Sequence, residues 1–147
     1  MTNTAQLDMD IQRLRDNAVK MNPDVKTRLV EALRSGKYRQ SQGYLQFKST
    51  QDGYRKPGFC CLGVVSELAK NDPTTQVDSR LHPCGDSMEY FSTRQGDEYA
   101  FTKSTAFLID EVREWSGIDE KVSGALMAIN DDGGSFELIA DLVEEYL

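Results

Sequence analysis

Between Lys26 and Lys56 the chain carries eight cations, Lys26, Arg28, Arg34, Lys37, Arg39, Lys48, Arg55 and Lys56, against only Glu31 and Asp52. Tyr38, Tyr44, Phe47 and Tyr54 are interleaved with them. Cations that hold phosphates, beside aromatic faces that stack bases, are the components of a nucleotide or single-strand binding surface. In that reading Arg34, Lys37 and Arg39 contact phosphate, Tyr38 and Tyr44 supply stacking faces, and Gln40 and Gln42 reach a base edge. Arginine forks suit bidentate phosphate contact in a way lysine does not. The Ser35-Gly36 turn follows a helix C-terminus, whose dipole has the wrong sign for an anion, so such a site must rely on side chains. The same segment also suits a solvated basic face that pairs with acidic residues of the chain or of a second copy.

Cys60 and Cys61 stand at the start of an apolar run, where a helix N-terminus would stabilise a thiolate. The general base would have to be His82, the one histidine in the chain, oriented by Asp86 or Asp78. The opposing reading is two small residues packed in a core, the usual fate of adjacent cysteines before an apolar helix. A third constellation, Asn130-Asp131-Asp132-Gly133-Gly134-Ser135, offers oxygen ligands in a glycine-rich turn. It lacks the twelve-residue pattern and closing glutamate of a calcium loop, so it reads as a turn in which Asn130 ends one helix and Ser135 caps the next. Three cysteines, badly spaced, suggest neither a disulfide framework nor a four-ligand zinc site. No metal or cofactor is expected.

The wider composition limits the function classes. A net charge of −7 hides a bipolar chain: residues 1–73 hold 12 basic and 8 acidic side chains, and the remainder 5 and 16. An acidic surface can mimic nucleic acid, but 17 basic residues and a net charge of only −7 make mimicry weak, and nucleic acid is not the expected partner. No apolar run is long enough to span a bilayer, and the first 16 residues lack the apolar core of a signal peptide. At 147 residues with 39% apolar content, the chain is expected to form one domain with its own core.

The elements that would position these groups follow from local patterns. Leu7, Ile11, Leu14 and Ala18 recur at helical spacing and predict an amphipathic helix over 5–20, possibly peripheral. Asn22 as N-cap, Pro23 in the first turn and Asp24 at the positive dipole end start a second helix, which Gly36 ends. Residues 37–59 suit a short strand or hairpin. A central helix follows from Cys60, in which Gly63 marks close approach of another backbone or a ligand. Residues 71–87 read as a surface loop, and Met88–Ser92 with Glu98–Thr102 as a hairpin around Arg94-Gln95-Gly96-Asp97. Helices over 109–116, 120–129 and from 135 complete an α+β fold of five or six helices around a small antiparallel sheet. Trp115 and Tyr146 are read as core or interface anchors.

Four blocks occur in order: Leu33-Arg34-Ser35-Gly36-Lys37-Tyr38-Arg39-Gln40, Phe59-Cys60-Cys61-Leu62-Gly63-Val64, Val112-Arg113-Glu114-Trp115-Ser116-Gly117-Ile118, and Ile129-Asn130-Asp131 with Ser135-Phe136 and Ile139-Ala140-Asp141. Together they resemble a group of small, largely uncharacterised proteins encoded by tailed phages and prophages. The resemblance runs from about residue 24 to the end and fails over the first 22 residues and over 71–103. It implies a viral origin, an accessory role in the host cytoplasm, and action on host machinery or immunity by binding rather than catalysis. The leading expectation is therefore a binding protein that sequesters a nucleotide-type signal at Arg34, Lys37, Tyr38, Arg39, Gln40 and Tyr44, perhaps completed by a second protomer. Two alternatives stand beside it. One is a protein-protein inhibitor that uses Glu137, Asp141, Glu144 and Glu145; the other is a hydrolase or transferase built on Cys60, Cys61 and His82.

Overall fold

One helix, Cys61–Lys70 (α3), sits where every other layer meets it, and seven of its ten residues are buried. In the computed structural model, which describes residues 4–48, 56–94 and 102–147, this helix begins at Cys60. The Cys60 sulfur accepts from Gly63 N at 3.4 Å and so acts as the cap. A Cβ built at Gly63 would lie 1.6 Å from the backbone oxygen of Leu45. Only glycine lets the strand preceding the helix cross it at this distance, so the close backbone approach expected at Gly63 is present. Leu45 is fully buried and held on both sides, donating from its N to Thr105 O at 2.8 Å and accepting from Cys60 N at 3.2 Å.

Two more helices precede it, Thr4–Asn17 (α1) and Pro23–Arg34 (α2). The α1 helix stops three residues earlier than its apolar spacing predicts. Asn17 turns its side-chain amide back to Arg13 O at 2.9 Å, and Ala18 is exposed rather than part of the stripe. The start of α2 is as expected: Asn22 Oδ1 accepts from Asp24 N at 3.1 Å, Pro23 opens the helix, and Gly36 follows its end at φ 75°. Its stripe Val25, Leu29, Val30 and Leu33 is buried and packs on α3 and on the last helix.

Short strands Gln46–Phe47 (β1) and Gly58–Phe59 (β2) pair antiparallel, with Gln46 opposite Phe59. A second antiparallel sheet has the order β3-β4-β5, from Val77–Leu81, Met88–Ser92 and Lys103–Ser104. Here the structure corrects the sequence reading. The segment 71–87 is not simply a loop, because β3 pairs with β4 over five residues, from Val77 opposite Ser92 to Leu81 opposite Met88. Alternation hides β3, since only Val77 of its five residues is buried. Among the described residues the second partner of β4 is Lys103–Ser104, while Gln95, Gly96 and Asp97 of the expected turn and Glu98 to Phe101 of the expected strand lie outside the described residues. Tyr90 at the centre of the sheet is fully buried, and its hydroxyl donates to Glu67 Oε2 at 2.7 Å.

The chain then runs through Asp110–Ser116 (α4), Glu120–Asp131 (α5) and Phe136–Tyr146 (α6). Gly117 ends α4 at φ 79°, Asp119 caps α5 through Val122 N, and Ser135 caps α6 through Leu138 N. The α5 helix continues past Asn130, so Asn130 is a residue of its last turn and not a cap; Gly133 makes the turn instead, at φ 102°. Helix α6 buries Phe136, Ile139, Ala140, Leu142 and Val143 against α2. Each larger side chain there contributes about 1.5–3 kcal/mol of burial. The result is a single α+β domain with six helices and two small antiparallel sheets among the described residues. No helix among the described residues is long and apolar enough to cross a membrane.

Candidate binding site

The basic segment does not converge on a ligand cradle. Arg34 projects from the end of α2 onto α6, where its guanidinium reaches Asp141 at 2.6 Å, Glu144 at 3.1 Å and Glu137 at 3.8 Å. These three acids recur at four and three residues, on one face of α6, and the hydrogen bonds of Asp141 first, then Glu144, hold the Arg34 pKa above its ordinary value. The charge counted toward phosphate is thus spent within the fold. The same contact gathers three of the four acidic residues expected to form an inhibitory face, leaving Glu145 outside the cluster. Arg28 is likewise engaged, at 2.6 Å from Asp72. Thr74 donates to the other oxygen of Asp72, and these bonds first, then Arg28, hold that carboxyl down at about 2.

Tyr38 packs edge-on against Phe59, with ring centres 5.2 Å apart and planes at 86°, so one of its stacking faces is taken. Burial pushes its hydroxyl pKa up. Tyr44 lies against Phe47 at 5.9 Å. Gln40 is committed to the fold: its Nε2 donates to Asn130 Oδ1 at 3.0 Å and Gly134 O at 2.7 Å, and its Oε1 accepts from Phe136 N at 3.1 Å. Lys37 and Arg39 remain exposed with no ion pair among the described residues. Lys37 and Tyr38 border a shallow groove of about 250 Å³. Asp52, Tyr54 and Arg55 lie outside the described residues.

The cysteine constellation is divided as well. Cys60 and Cys61 are both 2% exposed. Burial pushes the Cys60 thiol up to about 11 and that of Cys61 well above its ordinary value, the reverse of an activated nucleophile. His82 lies in the β3–β4 turn and contacts Cys84 instead, Nδ1 to Sγ at 2.8 Å, while Cys84 Sγ donates to Asp86 Oδ1 at 2.8 Å. The turn at Gly85, φ 83°, folds residues 82, 84 and 86 together, so His82 lies with Cys84 rather than with Cys60 or Cys61. In the glycine-rich turn, Asp131 Oδ1 accepts from Gly43 N at 3.3 Å and Asn130 Nδ2 at 3.2 Å. No cluster of three metal-ligating side chains occurs among the described residues.

A cleft larger than that groove, of about 540 Å³, lies elsewhere, between α1, α4, α5 and residues 107–108. Its floor and apolar wall come from Leu108, Met127 and Phe107, the last 56% exposed. Its polar rim comes from Arg13, Arg113, Lys121, Glu120 and Ser123. Arg113 is tied to Asp110 through one Nη, but its Nε is buried with no hydrogen-bond acceptor. Arg13 and Lys121 make no ion pair among the described residues. Gly124 shapes the notch: a Cβ there would meet Arg13 Nη2 at 2.9 Å, so the absence of a side chain lets the guanidinium lie against α5. The first turn of α5 opens on the same cleft and adds its positive dipole end. Sequence reading passed over Arg13, Phe107 and Lys121 because they are separated by about a hundred residues and belong to no run of like charge.

No curated protein and no solved structure matches the chain. A family model described as a domain of unknown function, DUF8296, matches residues 21–147, which takes in every element except α1. With all of α2 through α6 inside that match, the chain belongs to the DUF8296 family.

Proposed function

We propose that this protein is a phage-type accessory protein that acts in the host cytoplasm by binding and sequestering a small anionic host component. The observation that carries the reading is the cleft beside α1, where Arg13 and Lys121 make no ion pair among the described residues while Arg34 of the basic segment is neutralised by α6. A water-filled concavity of this size with an apolar wall and a few convergent polar groups is the usual form of a small-molecule site. The likeness of its sequence blocks to phage proteins supports the viral, host-directed half of the reading. Native mass spectrometry of the protein purified from its host, before and after denaturation, tests it. A retained anionic mass that denaturation releases is the expected result; a bare chain that also takes up no added anion contradicts it.

A further inference from the structure

We infer that the cleft is built for a nucleoside phosphate, with its phosphate held by Arg13 and its base laid on Phe107; this rests on the sequestration reading and specifies its ligand. Three observations carry it. First, the cations are of the right kind and are available. Arg13 has no carboxylate partner among the described residues, and Arg113 keeps a buried Nε donor with no acceptor. A buried orphan donor costs free energy that a phosphate oxygen would recover. Second, the same cleft has an apolar lining. Phe107 is among the few large apolar side chains that stand exposed, and Met127 and Leu108 adjoin it. An inorganic anion would leave that wall unused, whereas a base stacks on it.

Third, the phosphate end depends on α1. Arg13 belongs to α1, which lies outside the residues matched by the family model. Helix α1 is seated on α5 by Leu14, fully buried, and at its far end by Arg15, whose Nε donates to Tyr146 at 2.8 Å. The guanidinium of Arg13 then rests in the notch at Gly124. A volume of about 540 Å³ suits one nucleotide.

Isothermal titration of the full chain at low salt with ADP, UDP, pyrophosphate and adenosine tests the assignment. At least one of the two nucleotides is expected to bind at least about tenfold more tightly than pyrophosphate, and adenosine more weakly than either. Arg13→Gln is expected to weaken the nucleotide at least about tenfold, in line with loss of a charge-assisted contact. Phe107→Ala is expected to weaken the nucleotide by a similar factor while leaving pyrophosphate unchanged. Both side chains are exposed, so folding is preserved, and equal thermal midpoints verify it. Pyrophosphate binding as tightly as the nucleotides, or Phe107→Ala without effect, overturns the nucleoside assignment and leaves anion sequestration standing. Nucleotide binding untouched by Arg13→Gln overturns the site. No binding of any anion overturns both readings.

Discussion

The side-chain amides of Gln40 and Asn130 are hydrogen bonded to each other at 3.0 Å, and around that bond three distant parts of the chain are tied together. Asn130 is fully buried; its Oδ1 also accepts from Cys61 N at 3.1 Å, at the head of α3, and its Nδ2 donates to Ser41 O at 2.9 Å. Gln40 in turn holds Gly134 O and Phe136 N at the α5–α6 turn. Residues of three of the four sequence blocks therefore meet at one polar knot, which joins the 40s segment to α3, α5 and α6.

Asn130→Ala should destabilise the domain by about 3 kcal/mol, because it removes the acceptor of the buried Cys61 N and the donor to Ser41 O. Gln40→Ala should cost less, about 1–2 kcal/mol, since Gln40 is half-buried and water can replace it. Urea denaturation at neutral pH measures both. Equal losses, or a loss below about 1 kcal/mol for Asn130→Ala, would mean that the knot is incidental to stability.

Gly63→Ala should be among the most damaging single methyl additions in the chain. The new Cβ would fall 1.6 Å from Leu45 O, so the β1 side and α3 must separate, at a cost at or above the upper end of the overpacking range, about 3 kcal/mol. Gly36→Ala is the comparison: it lies at φ 75° with nothing within 4 Å of the added carbon, and strain alone costs about 1 kcal/mol. Thermal denaturation of the two variants should rank them in that order.

Thiol reactivity should divide the three cysteines. Cys84 is exposed, while Cys60 and Cys61 are buried with raised thiol pKa values. Titration with a chromogenic disulfide at pH 8 should release one equivalent quickly from the folded protein and three after denaturation. Two or three fast equivalents in the folded state would show that the start of α3 is open, and would revive Cys60 or Cys61 as a nucleophile.

Two carboxyl groups should bend the acid limb of stability in opposite directions. The folded-state pKa of Asp72 is about 2, below its ordinary 3.8, so the folded state binds fewer protons and stability is lost as pH falls from about 4 through 2. Asp72→Asn should flatten that limb. Asp132 is raised, chiefly by Asp10, whose buried Oδ2 lacks any donor unless Asp132 brings a proton. A raised folded pKa contributes stability that is present at low pH and lost as pH rises through it. Asp132→Asn should therefore be more stable than the parent at pH 7, by a margin that shrinks below pH 4. Thermal midpoints from pH 2 to 7 check both signs.

Local chemistry made much of the fold legible. Asn22-Pro23-Asp24, Gly36, Gly117 and Ser135 mark helix ends by their own dihedral and capping preferences, and all act as their types predict. Gly63 announced a backbone crossing without saying which backbone. What stayed hidden depends on distant partners. Asn130 looks like a cap until Gln40, Ser41 and Cys61 surround it, and β3 has no alternation because β4, not burial, holds it. The engagement of Arg34 was hidden for the same reason. A run of cations is visible along the chain, whereas the neutralisation of Arg34 by residues about a hundred positions later is not. Nor can spacing reveal that Arg13, Phe107 and Lys121 share one cleft.

The location of the ligand is the centre of this account, and amide NMR of the full chain titrated with ADP or UDP tests it most directly. Shifts are expected to gather at Arg13, Leu108, Lys121, Ser123 and Gly124 around the cleft. Shifts confined to Lys37, Tyr38, Arg39 and Tyr44, or none at saturating nucleotide, would contradict it.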